Sequence, residues 1–384
     1  MLTQMRSSLS VLVAGSLVLG GSTKQCQTPP SRFSSLEGGK PIVIGHRGAS
    51  GERPEHTLAA YRLAMEQGAD FVEPDLVITK DGVLIARHEP NILTTTDVAQ
   101  RPEFAARKTS KQIDGVREEG FFAEDFTLAE LKTLRAVQAR PDRDQSFNGL
   151  YEIPTLGEVI ELVKAYEQET GRKVGIYPET KHPSYFRRLG LPLEERLLET
   201  LIQQGFTDPG RVFIQSFEVT NLKDRLAPLL QAKGLSIPLV QLFGKFDQSP
   251  YDYVVEGRKE TYGDLVQADS LRSFVATYAK GIGPWKSSFI LRTVTEAQDL
   301  NGDGRAEAKE RLTGEILPVI HDAHAAGLLV HPYTLRDEES FQAIDYQDPT
   351  EEYRALVQLG VDGFFTDFPA TARRALDSAP AAKP

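Results

Sequence analysis

Cysteine is almost absent from this chain. Cys26 is the only one among 384 residues, so no disulfide can form within the chain. Without cysteines or a dense histidine cluster, the sequence also argues against zinc. Positive charge is in deficit: 44 Lys and Arg face 54 Asp and Glu, a formal net charge of −10. Surfaces that bind nucleic acid are basic, so this balance argues against nucleic acid as a partner. One apolar run stands out, Leu9 to Gly21, and it is too short to give a stable membrane span. No glycine-rich dinucleotide fingerprint follows the first strand-like run. The remaining composition, 40% hydrophobic and 26% charged, is that of a soluble globular protein with one large core or two domains.

Arg6 ahead of the Leu9–Gly21 run, with small and polar residues after it, reads as a secretory signal over residues 1–25. The expected location is therefore the periplasm or the medium. Residues 26–40, rich in Ser, Gly, Pro and Gln, read as a flexible leader, and 377–384 as a flexible tail. Cys26 follows the apolar run closely enough to suggest a lipid anchor. Thr23-Lys24-Gln25 lacks the small and aliphatic residues of such a signal, which disfavours one.

Beyond residue 40 the pattern alternates. Strand-like runs are expected at Pro41–Ile44, Phe71–Leu76, Val83–Ala86, Val174–Tyr177, Val212–Gln215, Pro238–Leu242, Leu328–His331 and Gly363–Thr366. Helical periodicity is expected over Thr57–Gln67, Leu156–Glu169, Leu193–Gln204, Leu222–Lys233, Ile316–Ala326 and Tyr353–Leu359. About eight strands alternating with helices predict an α/β fold, a (β/α)8 TIM barrel over residues 41–376. An open doubly wound sheet is the competitor. Residues from about 91 to 150 break the alternation and read as an insertion on the rim where barrels carry their chemistry.

Four residues then command the reading: His46, Glu73, Asp75 and His88, each at the end of a strand-like run. Two carboxylates one residue apart in a strand face the same side and can share a hard cation. Two imidazoles, titrating near pH ~6.5, can exchange protons near neutrality. Glu179 and Lys181 follow a further strand onto the same rim. Oxygen ligands of this kind suit Ca²⁺ or Mg²⁺. In an acidic chain, such a cation with Arg47 and Lys181 would make the site attractive to an anion.

These residues sit in HRGASGERPEHT, EPDL, HEP and GIYPETK, followed downstream by YAKGIGP, LLVHPYTLR and VDGFFTDFP. Taken in that order, from about Pro41 to Ala375, the sequence resembles the glycerophosphodiester phosphodiesterases, in particular their periplasmic bacterial branch. The resemblance implies a TIM barrel with an insertion after the second histidine. It implies one divalent cation, Ca²⁺ or Mg²⁺, on Glu73, Asp75 and Glu179. His46 would be the general base and His88 the general acid, with Arg47 and Lys181 toward the phosphate. The implied reaction splits a small glycerophosphodiester, such as the choline or ethanolamine ester, into sn-glycerol 3-phosphate and an alcohol. The competing functions are a phospholipase-type phosphodiesterase on lyso- or inositol lipids and a calcium-stabilised, non-catalytic barrel.

A second metal signal is separate. DLNGDGRAEAKE has the spacing of a calcium loop, with Asp299, Asn301 and Asp303 at alternate positions, a backbone carbonyl at Arg305 and Glu310 at the bidentate position. The alternative is an ordinary acidic turn before a helix.

Overall fold

The structure is a computed structural model, and it describes residues 33–378. The signal segment, Cys26 and residues 379–384 lie outside the described residues. The strands, in chain order, are β1 (Ile42–His46), β2 (Phe71–Glu73), β3 (Asp75–Ile78), β4 (Leu84–Ala86), β5 (Thr109–Ile113), β6 (Val116–Gly120), β7 (Gly175–Ile176) and β8 (Glu179–Thr180). They continue with β9 (Ile214–Ser216), β10 (Leu239–Phe243), β11 (Gly281–Pro284), β12 (Ile290–Gln298), β13 (Ala308–Ile316), β14 (Leu329–Val330) and β15 (Gly363–Thr366). Parallel pairing runs β15-β1-β2-β7 in one sheet and β14-β11-β10-β9-β8-β3 in another. Bridges Ile176 to Val212 and Leu335 to Thr366, with the Asp362 N–H donating to the Val330 carbonyl, join the two sheets into a closed barrel.

Two strand positions of the barrel are split by proline. Pro74 separates β2 from β3 and Pro178 separates β7 from β8 at the same level, where the Glu179 N–H donates to the Pro74 carbonyl. Proline has no N–H for the ladder, so each strand steps there. The acids Glu73, Asp75 and Glu179 flank these steps. Ile44, Phe71, Tyr177, Val240 and Phe365 form a separate buried cluster inside the barrel, while a larger apolar core lies between barrel and helices.

Most expected elements are present, with small shifts. Helix Leu58–Glu66 is capped by Thr57, and Leu156–Thr170 by a Thr155–Glu158 capping box and a left-handed Gly171. The structure departs from expectation in five places. Val83–Ala86 contains a strand, β4, but it runs antiparallel to β3 as a hairpin return rather than as a barrel stave. The stave β11 takes a place that no apolar run marked. The helix expected from Ile316 begins at Val319, because Ile316 closes the long hairpin β12–β13. Leu222–Lys233 divides into a wide π turn, Asn221–Leu226, and an α-helix, Ala227–Ala232. Pro228 cannot donate to the carbonyl four residues back, and the turn widens before it. The last helix, Pro369–Ser378, extends into the expected tail. The insertion is ordered, with short 3-10 turns, the β5–β6 hairpin and its own buried Phe104, Phe122 and Phe126.

Candidate active site and metal centre

Pairing places the key residues side by side. His46 is level with Glu73, and Asp75 with Glu179. One oxygen of each of Glu73, Asp75 and Glu179 lies within 4.8 Å of the others, and all three side chains are buried. This is the group of three such ligands found among the described residues. Burial and the neighbouring Asp75 and Glu179 hold the Glu73 carboxyl well above its ordinary range. Burial likewise pushes Glu179 up to about 8, against the pull of Lys181. For Asp75 burial works upward too, but Lys181 and His56 outweigh it and keep the group ionised. Asp75 Oδ1 has no hydrogen-bond partner. Three buried carboxylates with an orphaned oxygen are short of positive charge, and a divalent cation with oxygen ligands fits them.

The backbone is held in place around them. Arg47, His56, Asp114 and His182 are the non-glycine residues with positive φ (45° to 58°) among the described residues, and all four belong to this site. Such conformations are strained and persist where surrounding structure enforces them. The Arg47 N–H donates to Glu73 Oε2 (2.8 Å), and its guanidinium donates to Glu55 (2.8 Å). His56 donates from Nε2 to Asp75 (2.9 Å) and accepts from the Tyr61 hydroxyl (2.7 Å). Arg87, fully buried, donates to the carbonyls of Glu55, His56 and Thr95 and ties this loop to the start of the insertion. Gly48 closes the loop on helix Leu58–Glu66, where a Cβ would come within 2.5 Å of the Ala60 backbone.

Each histidine is oriented by an acid; the insertion holds Asp367 directly through Arg143 and reaches Glu89 by way of His182. His46 donates from Nδ1 to Asp367 (2.6 Å), which also accepts from Arg143 (2.5 Å) and Arg336 (2.8 Å). Burial and the adjacent Arg47 lower the His46 imidazole to about 4, so its free nitrogen is a proton acceptor at neutral pH. His88 faces Glu89 through Nδ1 (2.8 Å) and receives the Lys181 ammonium at Nε2 (3.3 Å). Partial burial, Arg47 and Lys181 hold it below its usual range. Glu89 is shared with His182 (2.8 Å), which also donates to Asp114 (2.6 Å) at the tip of β5–β6. Burial opposes the charge on His182, but the two carboxylates raise it to about 9. Lys181 completes the centre with an ion pair to Glu179 (3.0 Å).

The sequence therefore brings together His46, Arg47, Glu73, Asp75, His88, Glu179 and Lys181. Asp367, Arg143, His56, Glu89 and His182 were missed. His56 and Glu89 stand inside the motifs already singled out, and Asp367 in the last of them. The segment Asp299–Glu310 lies apart, on the β12–β13 hairpin. Asp299, Asn301 and Asp303 accept backbone N–H groups of their own turn, including Arg305 N–H on Asp303. Glu310 pairs across the hairpin with Arg292 (3.2 Å), and a strand, not a helix, follows the turn.

A cavity of about 160 Å³ opens over the centre, lined by His46, Arg47, Glu73, His88, Glu179 and Lys181 among others. It joins a broader groove of about 780 Å³ through Glu179, Lys181, Phe217, Trp285 and Tyr333. Fold and site together define an α/β barrel with two imidazoles set beside a buried carboxylate triad at one rim. The sequence model of the glycerophosphoryl diester phosphodiesterase family matches residues 46–371, and the chain belongs to that family. It is 36% identical over 348 residues to glycerophosphodiester phosphodiesterase GDPD6 of Arabidopsis thaliana, covering 87% of this chain and 85% of the relative. It is 30% identical over 380 residues to the glycerophosphodiester phosphodiesterase of Haemophilus influenzae, covering 95% and 96%. Its fold matches a putative glycerophosphoryl diester phosphodiesterase of Silicibacter pomeroyi (TM-score 0.61, 21% identity, covering 91% of this chain and 99% of that one). It also matches an Oleispira antarctica phosphodiesterase solved with the product sn-glycerol-3-phosphate (TM-score 0.55, 23% identity, 90% and 100%).

Proposed function

We propose that this chain hydrolyses glycerophosphodiesters to sn-glycerol 3-phosphate and an alcohol. The observation that carries the reading is the buried Glu73–Asp75–Glu179 triad flanked by two imidazoles, each backed by a carboxylate. A divalent cation on the triad, Ca²⁺ or Mg²⁺ by its all-oxygen ligands, would supply Lewis acidity and offset the charge of the diester. Arg47 and Lys181 add positive charge on the same wall. His46, neutral and aimed by Asp367, takes the proton of the attacking hydroxyl, either from water directly or from the glycerol itself, in which case a cyclic phosphate forms and water opens it in a second step. His88, aimed by Glu89, gives a proton to the departing alcohol from its protonated form, which is reached once Lys181 leaves its Nε2 for the anionic diester. Positioned groups of this kind contribute ~10²–10⁴-fold each.

The test is release of choline and glycerol phosphate from glycerophosphocholine, with and without chelator. Activity abolished by chelator and restored by Ca²⁺ or Mg²⁺ is expected. Full activity in the His46→Ala or Glu73→Ala variant would overturn the assignment. Export is proposed from Arg6 and the Leu9–Gly21 run, and fractionation of expressing cells checks it.

A further inference from the structure

The broad groove beside the small cavity has a distinctive lining. Phe217 meets Tyr333 edge-to-face (5.8 Å, 89°) and Tyr262 at 6.4 Å, and Trp285 stands on the wall shared with the small cavity. The phenol hydroxyls are turned away into the protein: Tyr333 donates to the Phe243 carbonyl and Tyr262 to the Phe217 carbonyl. What these residues offer the groove is therefore ring surface. Two of these faces already hold ammonium groups of the chain itself, Lys181 over Phe217 and Lys245 over Trp285, each 5.8 Å from the ring centre. Lys181 is committed to Glu179. Lys245 forms no ion pair among the described residues.

Beside Phe217 the groove is also acidic. Glu218, 4% exposed, accepts only from the N–H (3.1 Å) and hydroxyl of Ser184. Asp252 lies behind it, 2% exposed, with Oδ1 unpartnered. Neither acid has a cation within ion-pair distance among the described residues. Asp114, also on the groove, does have one, His182, yet its Oδ1 is unpartnered. Burial, with Asp252 and Asp114 adding to it against the Ser184 bonds, pushes Glu218 up to about 8. Buried acids held toward their neutral form lack a counter-cation, and one arriving with a ligand would relieve them.

We propose that this groove seats the leaving alcohol and selects alcohols that carry positive charge, through the faces of Phe217, Trp285 and Tyr333 and the carboxylate of Glu218. An ammonium or trimethylammonium head on a two-carbon arm takes the place of Lys245 on Trp285, where ring faces and the buried acid stabilise it more than a neutral polyol. The proposal rests on the phosphodiesterase reading above and adds the chemistry of the alcohol.

Steady-state kinetics on three diesters that share the same glycerophosphate half test it: the choline, ethanolamine and glycerol esters. The purified protein, loaded with divalent cation, is expected to show kcat/KM at least tenfold higher for the two cationic esters, mostly through KM. Glu218→Gln and Trp285→Leu are each expected to pull that ratio toward one. Either variant serves alone if the other fails to fold, as judged by thermal melting. Equal kcat/KM for cationic and neutral esters in the wild type overturns the proposal, as does a ratio unchanged in a folded variant. Failure to cleave any of the three esters would instead overturn the phosphodiesterase reading.

Discussion

At the residue scale the site is governed by charges that have been taken out of water. Glu179, pushed up to about 8 by burial, binds a proton at neutral pH when no cation is present. Cation binding must expel it, so affinity falls as pH drops through about 8 and levels off above. Calorimetry in two buffers of different ionisation heat should detect net proton release on cation binding at pH 7, from Glu179 and from Glu73, whose carboxyl burial also holds above its ordinary range. Asp367→Asn removes the charge that aims His46 and should cut kcat by about 10²-fold or more with little change in KM. His182 carries the opposite sign of linkage from an ordinary surface carboxylate. Its folded value is raised to about 9 from 6.5, so the stability it contributes is complete below pH 6.5 and is lost as pH rises through 9. Chemical denaturation at pH 6 and pH 9 should therefore show a smaller decline for His182→Gln than for the wild type, by at most about 3 kcal/mol. The triad and both histidines were legible because strand ends put them on one rim. Their supporting residues were not: Asp367 is 321 positions from His46, and no local pattern joins them. His182 stands before Pro183 with no local signal of a charge partner, and only its left-handed backbone turns the ring between Glu89 and Asp114.

At the scale of elements the insertion is the unexpected participant. Arg143 reaches from it to Asp367, to the Ser50 carbonyl (3.0 Å) and to Glu338 (2.6 Å), while the β5–β6 tip grips His182. Arg143→Met should lower kcat more than it raises KM and should spare cation binding, whereas Arg143→Lys should recover part of the loss; kinetics with a cation titration decide. Gly48→Ala should destabilise the fold by more than about 1 kcal/mol in a urea melt, because its φ is positive and Ala60 leaves no room. Apolar periodicity revealed the helices and most staves. It failed at β11, Gly-Ile-Gly-Pro, where glycine leaves room for a neighbouring side chain: a Cβ on Gly283 would meet Leu242 Cδ2 at 2.5 Å. It failed also at β12–β13, a hairpin largely in water, with Val294 80% exposed. With so little buried face, no period-two pattern is imposed.

For the whole molecule, the net charge of −10 is compatible with an anionic substrate because positive groups gather where the diester would sit. It leaves the apo state with a cost, since the acids crowd at the centre as well as on the surface. Chelation should lower the melting temperature at pH 8.5, and Glu179→Gln should narrow the difference between apo and loaded protein while abolishing turnover. An apo wild type as stable as the loaded form would contradict this. The paired prolines give that behaviour a location. Pro74 and Pro178 interrupt neighbouring staves at one level, so the barrel is thinnest in hydrogen bonds along the line where its three acids meet. An ion seated there acts as a rivet as well as a reagent. The protein's endurance would then follow the divalent-cation content of the medium around it, and a cation-poor medium would shorten the enzyme's working life along with slowing its turnover.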